Sequence, residues 1–146
     1  MASKDILVCG TLNLETTFPI TGFPLDYEPV SYRPFALRSQ PSGVGFNVAW
    51  ALSTLGNRVR FVSMVGSDFL GAALRQSMTE FGVSDEFLLP VLDETPQSII
   101  IFDSAGRRMV NTDLKDVGER LYSLELFNPN SDFRNLPFGP KRGVII

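Results

Sequence analysis

The sequence predicts a mixed α/β fold: a parallel sheet with crossover helices, and a small antiparallel β section lying over it. Three observations lead there. Strand, glycine turn and helix alternate between Ile6 and Gly82, the rhythm of a parallel sheet whose strands are joined by helices. From Phe87 the pattern changes to closely spaced strand-like runs. The composition is that of an ordinary globular domain, with 146 residues, 44% hydrophobic and 20% charged.

Ile6 to Cys9 reads as a short buried strand stopped by Gly10. A polar loop follows, then a segment from Phe18 to Pro41 that holds Pro19, Pro24, Pro29, Pro34 and Pro41. So many prolines exclude a helix, and Val30 to Leu37 is expected as an edge strand between two of them. Gly45 to Leu55 reads as the first helix. Its apolar surface is broad enough to predict packing on two sides, and Gly56 is its stop. Arg58 to Val65 is the next strand. Asp68 is placed to cap a second helix running to about Phe81, in which Leu70, Leu74, Met78 and Phe81 fall at helical spacing before Gly82.

Phe87 to Leu92, Gln97 to Asp103 and Arg108 to Asp113 read as strands of an antiparallel section, the last two joined by the turn Ser104-Ala-Gly-Arg107. Val117 to Phe127 carries a weaker helical signal, and Asn128-Pro-Asn-Ser reads as a loop. Val144-Ile145-Ile146 looks like the start of another buried parallel strand. The chain is therefore expected to be the N-terminal portion of one larger domain that spans residues 1–146 and continues beyond them.

Composition also narrows the chemistry. The net charge of −3 argues against non-specific nucleic-acid binding, and no window has the apolar length of a membrane helix. The start, Met-Ala-Ser-Lys-Asp, has no signal-peptide pattern, so a cytoplasmic location is expected. With no histidine, imidazole catalysis and imidazole metal ligation are excluded. Cys9 is the single cysteine and reads as a small core residue, so no intrachain disulfide and no thiolate cluster can form. Chemistry is left to carboxylates, amides, hydroxyls, Lys, Arg and the backbone.

Two clusters carry that chemistry. Ser42-Gly43-Val44-Gly45-Phe46-Asn47 places two glycines directly before an apolar helical run. Glycine lets backbone approach a ligand closely, and a helix that begins there aims its free N–H groups outward. Asn47 adds a donor and an acceptor in the first turn. The dinucleotide fingerprint fails because Val48 stands where a third glycine is required, and the phosphate loop fails for want of Gly-Lys-Ser/Thr. The second cluster, Asn13 and Glu15, follows the first strand at the end where open α/β sheets bind ligands. Two residues apart in extended chain, they share a face and can hold neighbouring hydroxyls. Arg107, Arg108 and Lys115 read as solvated charges. Phe18, Phe23, Phe35 and Phe46 read as core or as walls of a ligand site.

The order of these features resembles the N-terminal half of a ribokinase-like carbohydrate kinase, the PfkB family. The resemblance is carried by Ile6-Leu-Val-Cys-Gly-Thr-Leu-Asn13-Leu-Glu15, by Ser42-Gly-Val-Gly-Phe-Asn47-Val-Ala-Trp-Ala-Leu, by Leu55-Gly56, and by Phe61-Val-Ser-Met-Val-Gly66-Ser-Asp68-Phe-Leu-Gly71. Thr95-Pro96 and the strand Ile99 to Asp103 with its turn also fit, so the match spans residues 5 to 113. It implies a partial α/β sandwich with a small antiparallel β lid, whose strands lie at about 18–40 and 86–113. It implies that Asn13, Glu15, Gly43, Val44, Gly45, Asn47 and Gln97 contact a sugar or nucleoside. It implies phosphoryl transfer from ATP with Mg²⁺, both held mainly by a C-terminal half absent from this chain, and homodimers through the lid. Ser42 stands where the family usually has the first of two adjacent glycines, and Glu15 where aspartate is usual. The family's second signature, Gly-Ala-Gly-Asp, which would bring the catalytic base, does not occur in the chain. Residues 1–146 alone are therefore expected to be inactive, with no catalytic residue and no metal ligand of their own. The competing readings are a non-catalytic binding or interaction module, and an α/β enzyme of another family that binds a nucleotide at Gly43–Gly45.

Overall fold

A computed structural model describes residues 3–120. In chain order its elements are β1 (Asp5–Cys9), β2 (Asn13–Pro19), β3 (Arg38–Ser42), α1 (Val44–Thr54), β4 (Arg58–Gly66), α2 (Phe69–Ser77), β5 (Leu88–Leu92), β6 (Gln97–Phe102) and β7 (Arg108–Asp113). They form two sheets. One is three-stranded and parallel, in the order β1-β4-β5; the other is four-stranded, in the order β3-β2-β6-β7.

The parallel sheet is built on β4, whose run Phe61-Val-Ser-Met-Val65 is buried on both faces, as a central parallel strand requires. Phe46 of α1, fully buried, sits at the middle of the core with Val8, Leu12, Phe61, Leu74 and Met78. Its ring lies 5.4 Å from that of Phe81, edge-on, and 6.3 Å from that of Trp50. Burying one such aromatic contributes roughly 1.5–3 kcal/mol. Helix α2 opens on the Asp68 cap, with Oδ1 accepting from Gly71 N–H, and runs into a 3₁₀ turn, Met78–Phe81, that Gly82 ends in a left-handed conformation.

The structure departs from the sequence expectations at four places. Helix α1 packs by one face only: Gly45, Phe46 and Ala49 are buried, while Val44, Asn47 and Ala51 are exposed. Residues 30–37 form no strand. The strand lies at Arg38–Ser42 and includes Pro41, which an edge position tolerates because no ladder hydrogen bond is demanded of its missing N–H. Asn13–Pro19, read as loop and irregular extended chain, is a strand at the heart of the second sheet. Finally, Leu88–Leu92 pairs in parallel with β4 and not with the other late strands. The second sheet is consequently mixed: β2 runs parallel to β6, and only β2–β3 and β6–β7 are antiparallel. Of the expected helix Val117–Phe127, residues 117–119 form a 3₁₀ turn. Arg120 is extended, and residues 121–127, the 128–131 loop and the 144–146 strand lie outside the described residues.

Candidate functional site

The site begins with a close approach of backbone to backbone. A Cβ on Gly45 would stand 2.6 Å from the carbonyl carbon of Gly10, and one on Gly10 would stand 2.8 Å from Cα of Gly45. The end of β1 and the start of α1 therefore touch without side chains between them, which only glycine permits. Gly43, with φ at +107°, makes the turn out of β3 into α1. A Cβ there would meet the Thr11 carbonyl oxygen at 2.5 Å and Asn13 Oδ1 at 3.1 Å. Phe46 N–H donates to the same Thr11 carbonyl at 3.2 Å, and Asn47 N–H to the Gly43 carbonyl at 2.9 Å. The glycine elbow is thus seated directly on the Thr11–Asn13 segment.

Polar side chains gather on one face of the four-stranded sheet. In register, Asn13 lies opposite Ser42, and Glu15 lies beside Gln40 on one flank and Ser98 on the other. Asn13 is buried, with 6% of its surface exposed. Its Nδ2 donates to Ser98 Oγ at 2.8 Å, while its Oδ1, also buried, has no hydrogen-bond partner among the described residues. Ser42 Oγ donates to Glu15 Oε2 at 2.9 Å. The result is a row of carboxylate, hydroxyl, carboxamide and hydroxyl drawn from three strands.

Asn13, Glu15, Gly43, Val44 and Gly45 are brought together around the elbow. Val44, 72% exposed, and Asn47 both lie on the open face of the first turn of α1. Gln97 is not brought in. It registers with Leu14, and alternation along the strand sets it on the face opposite that of Asn13 and Glu15. Ser98, one residue on, occupies the place next to Asn13 instead.

The comparisons with known proteins agree with this architecture. Residues 3–135 match the model for pfkB family carbohydrate kinases. The chain belongs to the pfkB family. A pseudouridine kinase from Escherichia coli (strain K12) is 30% identical over 115 residues, covering 75% of this chain and 35% of that protein. A nucleoside kinase from Methanothermobacter thermautotrophicus is 38% identical over 69 residues, covering 47% of this chain and 22% of that protein. The chain thus matches about a third or less of the length of these relatives. A microbiome-derived acarbose kinase shares the fold with a TM-score of 0.74 at 20% identity, over 86% of this chain and 42% of its own.

Within this pfkB chain, sequence reasoning missed two polar partners, Ser42 and Ser98. Ser42 was visible only as a departure from a glycine pair. Nothing local marks Ser98, because its role depends on a strand pairing across 85 residues. Cys9 is half-buried and its thiol is pushed up by burial, as befits a core residue and not a nucleophile. Among the described residues, no group of three or more Cys, Asp or Glu is placed to hold a metal ion. No helix among them is long and apolar enough to cross a membrane. Among the described residues, no carboxylate cluster fits a Mg²⁺ ion, so these residues do not by themselves hold an ATP–Mg²⁺ pair.

Proposed function

We propose that this chain binds the acceptor of an ATP-dependent sugar or nucleoside kinase, with Asn13, Glu15 and the Gly43-Val44-Gly45 elbow as the binding groups. The observation that carries this reading is the buried Oδ1 of Asn13. Burial of a carbonyl oxygen without a donor costs about 1–3 kcal/mol, and a ligand hydroxyl donating to it would remove that cost. Glu15, oriented by Ser42, would accept from a neighbouring hydroxyl. The N–H groups of Phe46 and Asn47 are taken by Thr11 and Gly43, which leaves those of Val44 and Gly45 to face the ligand. Asn47 stands on the exposed side of the same turn and would close over the acceptor from there. Gln97 has no part in this proposal.

The chain's task in such a reaction is positioning. It holds an alcohol in one orientation, so that transfer becomes in effect a unimolecular event. The four-stranded sheet would act as the lid that excludes water. Its other face leaves Ile99 and Met109 about half exposed, which supports pairing of two lids in a homodimer. The catalytic base and the residues that hold ATP and Mg²⁺ would come from sequence outside these 146 residues, and the chain alone would be inactive. Dependence on ATP goes with a cytoplasmic location.

The test is ATP-dependent phosphorylation of a panel of sugars and nucleosides, pseudouridine among them, by the protein that carries this sequence. Turnover that falls when Asn13 is changed to Ala is the expected result. Absence of turnover on every acceptor would remove the kinase reading, and normal KM in Asn13→Ala would remove the site.

A further inference from the structure

Away from the elbow, three elements meet at one buried hydroxyl. Thr95, fully buried, lies where the chain leaves the parallel sheet after β5 and enters the second sheet at β6. Its Oγ1 accepts from Gly66 N–H, at the end of β4, at 3.0 Å, and donates to Asp68 Oδ1 at 2.5 Å. Its N–H donates to Asp68 Oδ2 at 3.1 Å. Asp68 Oδ1 also receives Gly71 N–H at 2.9 Å, closing the first turn of α2. The joint has no spare room. A Cβ on Gly66 would stand 2.4 Å from Thr95 N, and one on Gly71 would meet the Gly66 carbonyl oxygen at 2.0 Å.

This joint is connected to the acceptor site by a short rigid path. Pro96, the next residue, is fully buried, and its carbonyl accepts from Leu14 N–H at 3.0 Å. Two residues further, Ser98 Oγ takes the Asn13 carboxamide at 2.8 Å. Thr95 therefore anchors the entry to β6, the strand whose pairing with β2 sets Ser98 beside Asn13. A helix cap needs only one carboxylate oxygen on an N–H of the first turn. Asp68 uses its second oxygen, and shares its first, on a residue 27 positions away.

We propose that Asp68 and Thr95 are positioning residues for the acceptor, fixing β6 so that Ser98 holds the Asn13 carboxamide with Oδ1 turned to the ligand. The proposal rests on the acceptor-site reading above. Neither residue touches the ligand; both act through Pro96 and Ser98.

The experiment uses the protein that carries this sequence, with pseudouridine as the probe, and compares Thr95→Val, Thr95→Ser and Asp68→Asn. Leu74→Ala, a core change on α2 that removes none of these hydrogen bonds, serves as the control for general destabilisation. Thr95→Val keeps the shape of the side chain and deletes the hydroxyl. Asp68→Asn keeps a capping oxygen and gives a second, folded route to the same loss. The expected result is a KM for pseudouridine raised about tenfold in Thr95→Val and Asp68→Asn with kcat within about twofold of wild type, the size of one lost buried hydrogen bond. Thr95→Ser, which restores the hydroxyl, should return KM to the wild-type value. Solvent exchange of the Asn13 carboxamide protons, read by NMR, should quicken in the same two variants and not in Leu74→Ala. The proposal is overturned if Asn13 exchange stays at the wild-type rate in both variants, or if Leu74→Ala reproduces their behaviour. If the wild-type protein phosphorylates no acceptor, the acceptor reading fails, and Asn13 exchange alone still decides whether the joint positions that side chain.

Discussion

The Asn13 carboxamide and the Ser98 hydroxyl meet at 2.8 Å across 85 residues of sequence. That bond joins the segment after the first strand to the third strand of the second sheet, and it leaves the other end of the carboxamide, Oδ1, buried beside Gly43. The Asn13–Ser98 pair should therefore be sensitive from both ends. Asn13→Ala removes the proposed ligand contact and is expected to raise acceptor KM by roughly tenfold or more. Ser98→Ala frees Nδ2 and lets the carboxamide rotate, so a smaller rise is expected. Steady-state kinetics with varied acceptor, at saturating ATP, measure both.

Glu15 is held by Ser42 Oγ at 2.9 Å. Glu15→Asp withdraws the carboxylate by one methylene and should break that bond without removing charge. The expected outcome is a change in acceptor preference across the panel with little loss of thermal stability, since the pair is only part-buried. Ser42→Ala should produce the same shift in preference. Unchanged preference in both variants would separate Glu15 from the ligand.

The two elbow glycines fail for different reasons when given a side chain. Gly43→Ala puts a Cβ on a residue with φ at +107° and within 2.5 Å of the Thr11 carbonyl oxygen. Gly45→Ala forces apart the backbones of Gly10 and Gly45, which a Cβ would approach to 2.6 Å. Each is expected to cost about 1–3 kcal/mol of stability, seen as a lower Tm by calorimetry. Gly56→Ala is the contrast: its Cβ would meet nothing within 4 Å, so only the strain of its positive φ remains and the loss should be smaller.

Asp68 links stability to pH. Burial pushes its carboxyl up, but hydrogen bonds from the Thr95 side chain and backbone and from Gly71 outweigh that and hold it below the usual carboxylate value. A carboxyl lowered in the folded state contributes stability that is fully present above its unfolded pKa, about 3.9. The contribution is lost as pH falls through the lower folded value. Wild type should therefore lose Tm more steeply than Asp68→Asn as pH drops from about 5 toward 3. Parallel Tm–pH curves for the two proteins would assign the acid sensitivity elsewhere, for example to Asp103, whose carboxyl burial raises but the Arg107 backbone and side chain hold below the usual carboxylate value.

Much of this protein was legible in its residues taken alone. Glycine punctuation and apolar spacing located β1, α1, β4 and α2, because burial on the sheet and on one helix face imposes a period that local sequence records. The elbow at Gly43–Gly45 and the Asn13–Glu15 pair were visible for the same reason: close approach and polar chemistry restrict which residue can stand there. Pairing was not legible. Leu88–Leu92 joins the parallel sheet, and Asn13–Pro19 runs alongside β6, although neither stretch differs in local pattern from its alternatives. Ser98 entered the site and Gln97 left it by a single step of register, since neighbouring residues on a strand face opposite ways. Residue type and local spacing determined which polar groups stand near the glycine elbow. Only the tertiary structure decided which side chains share the face, because hydrogen bonds between strands far apart in the chain set the register.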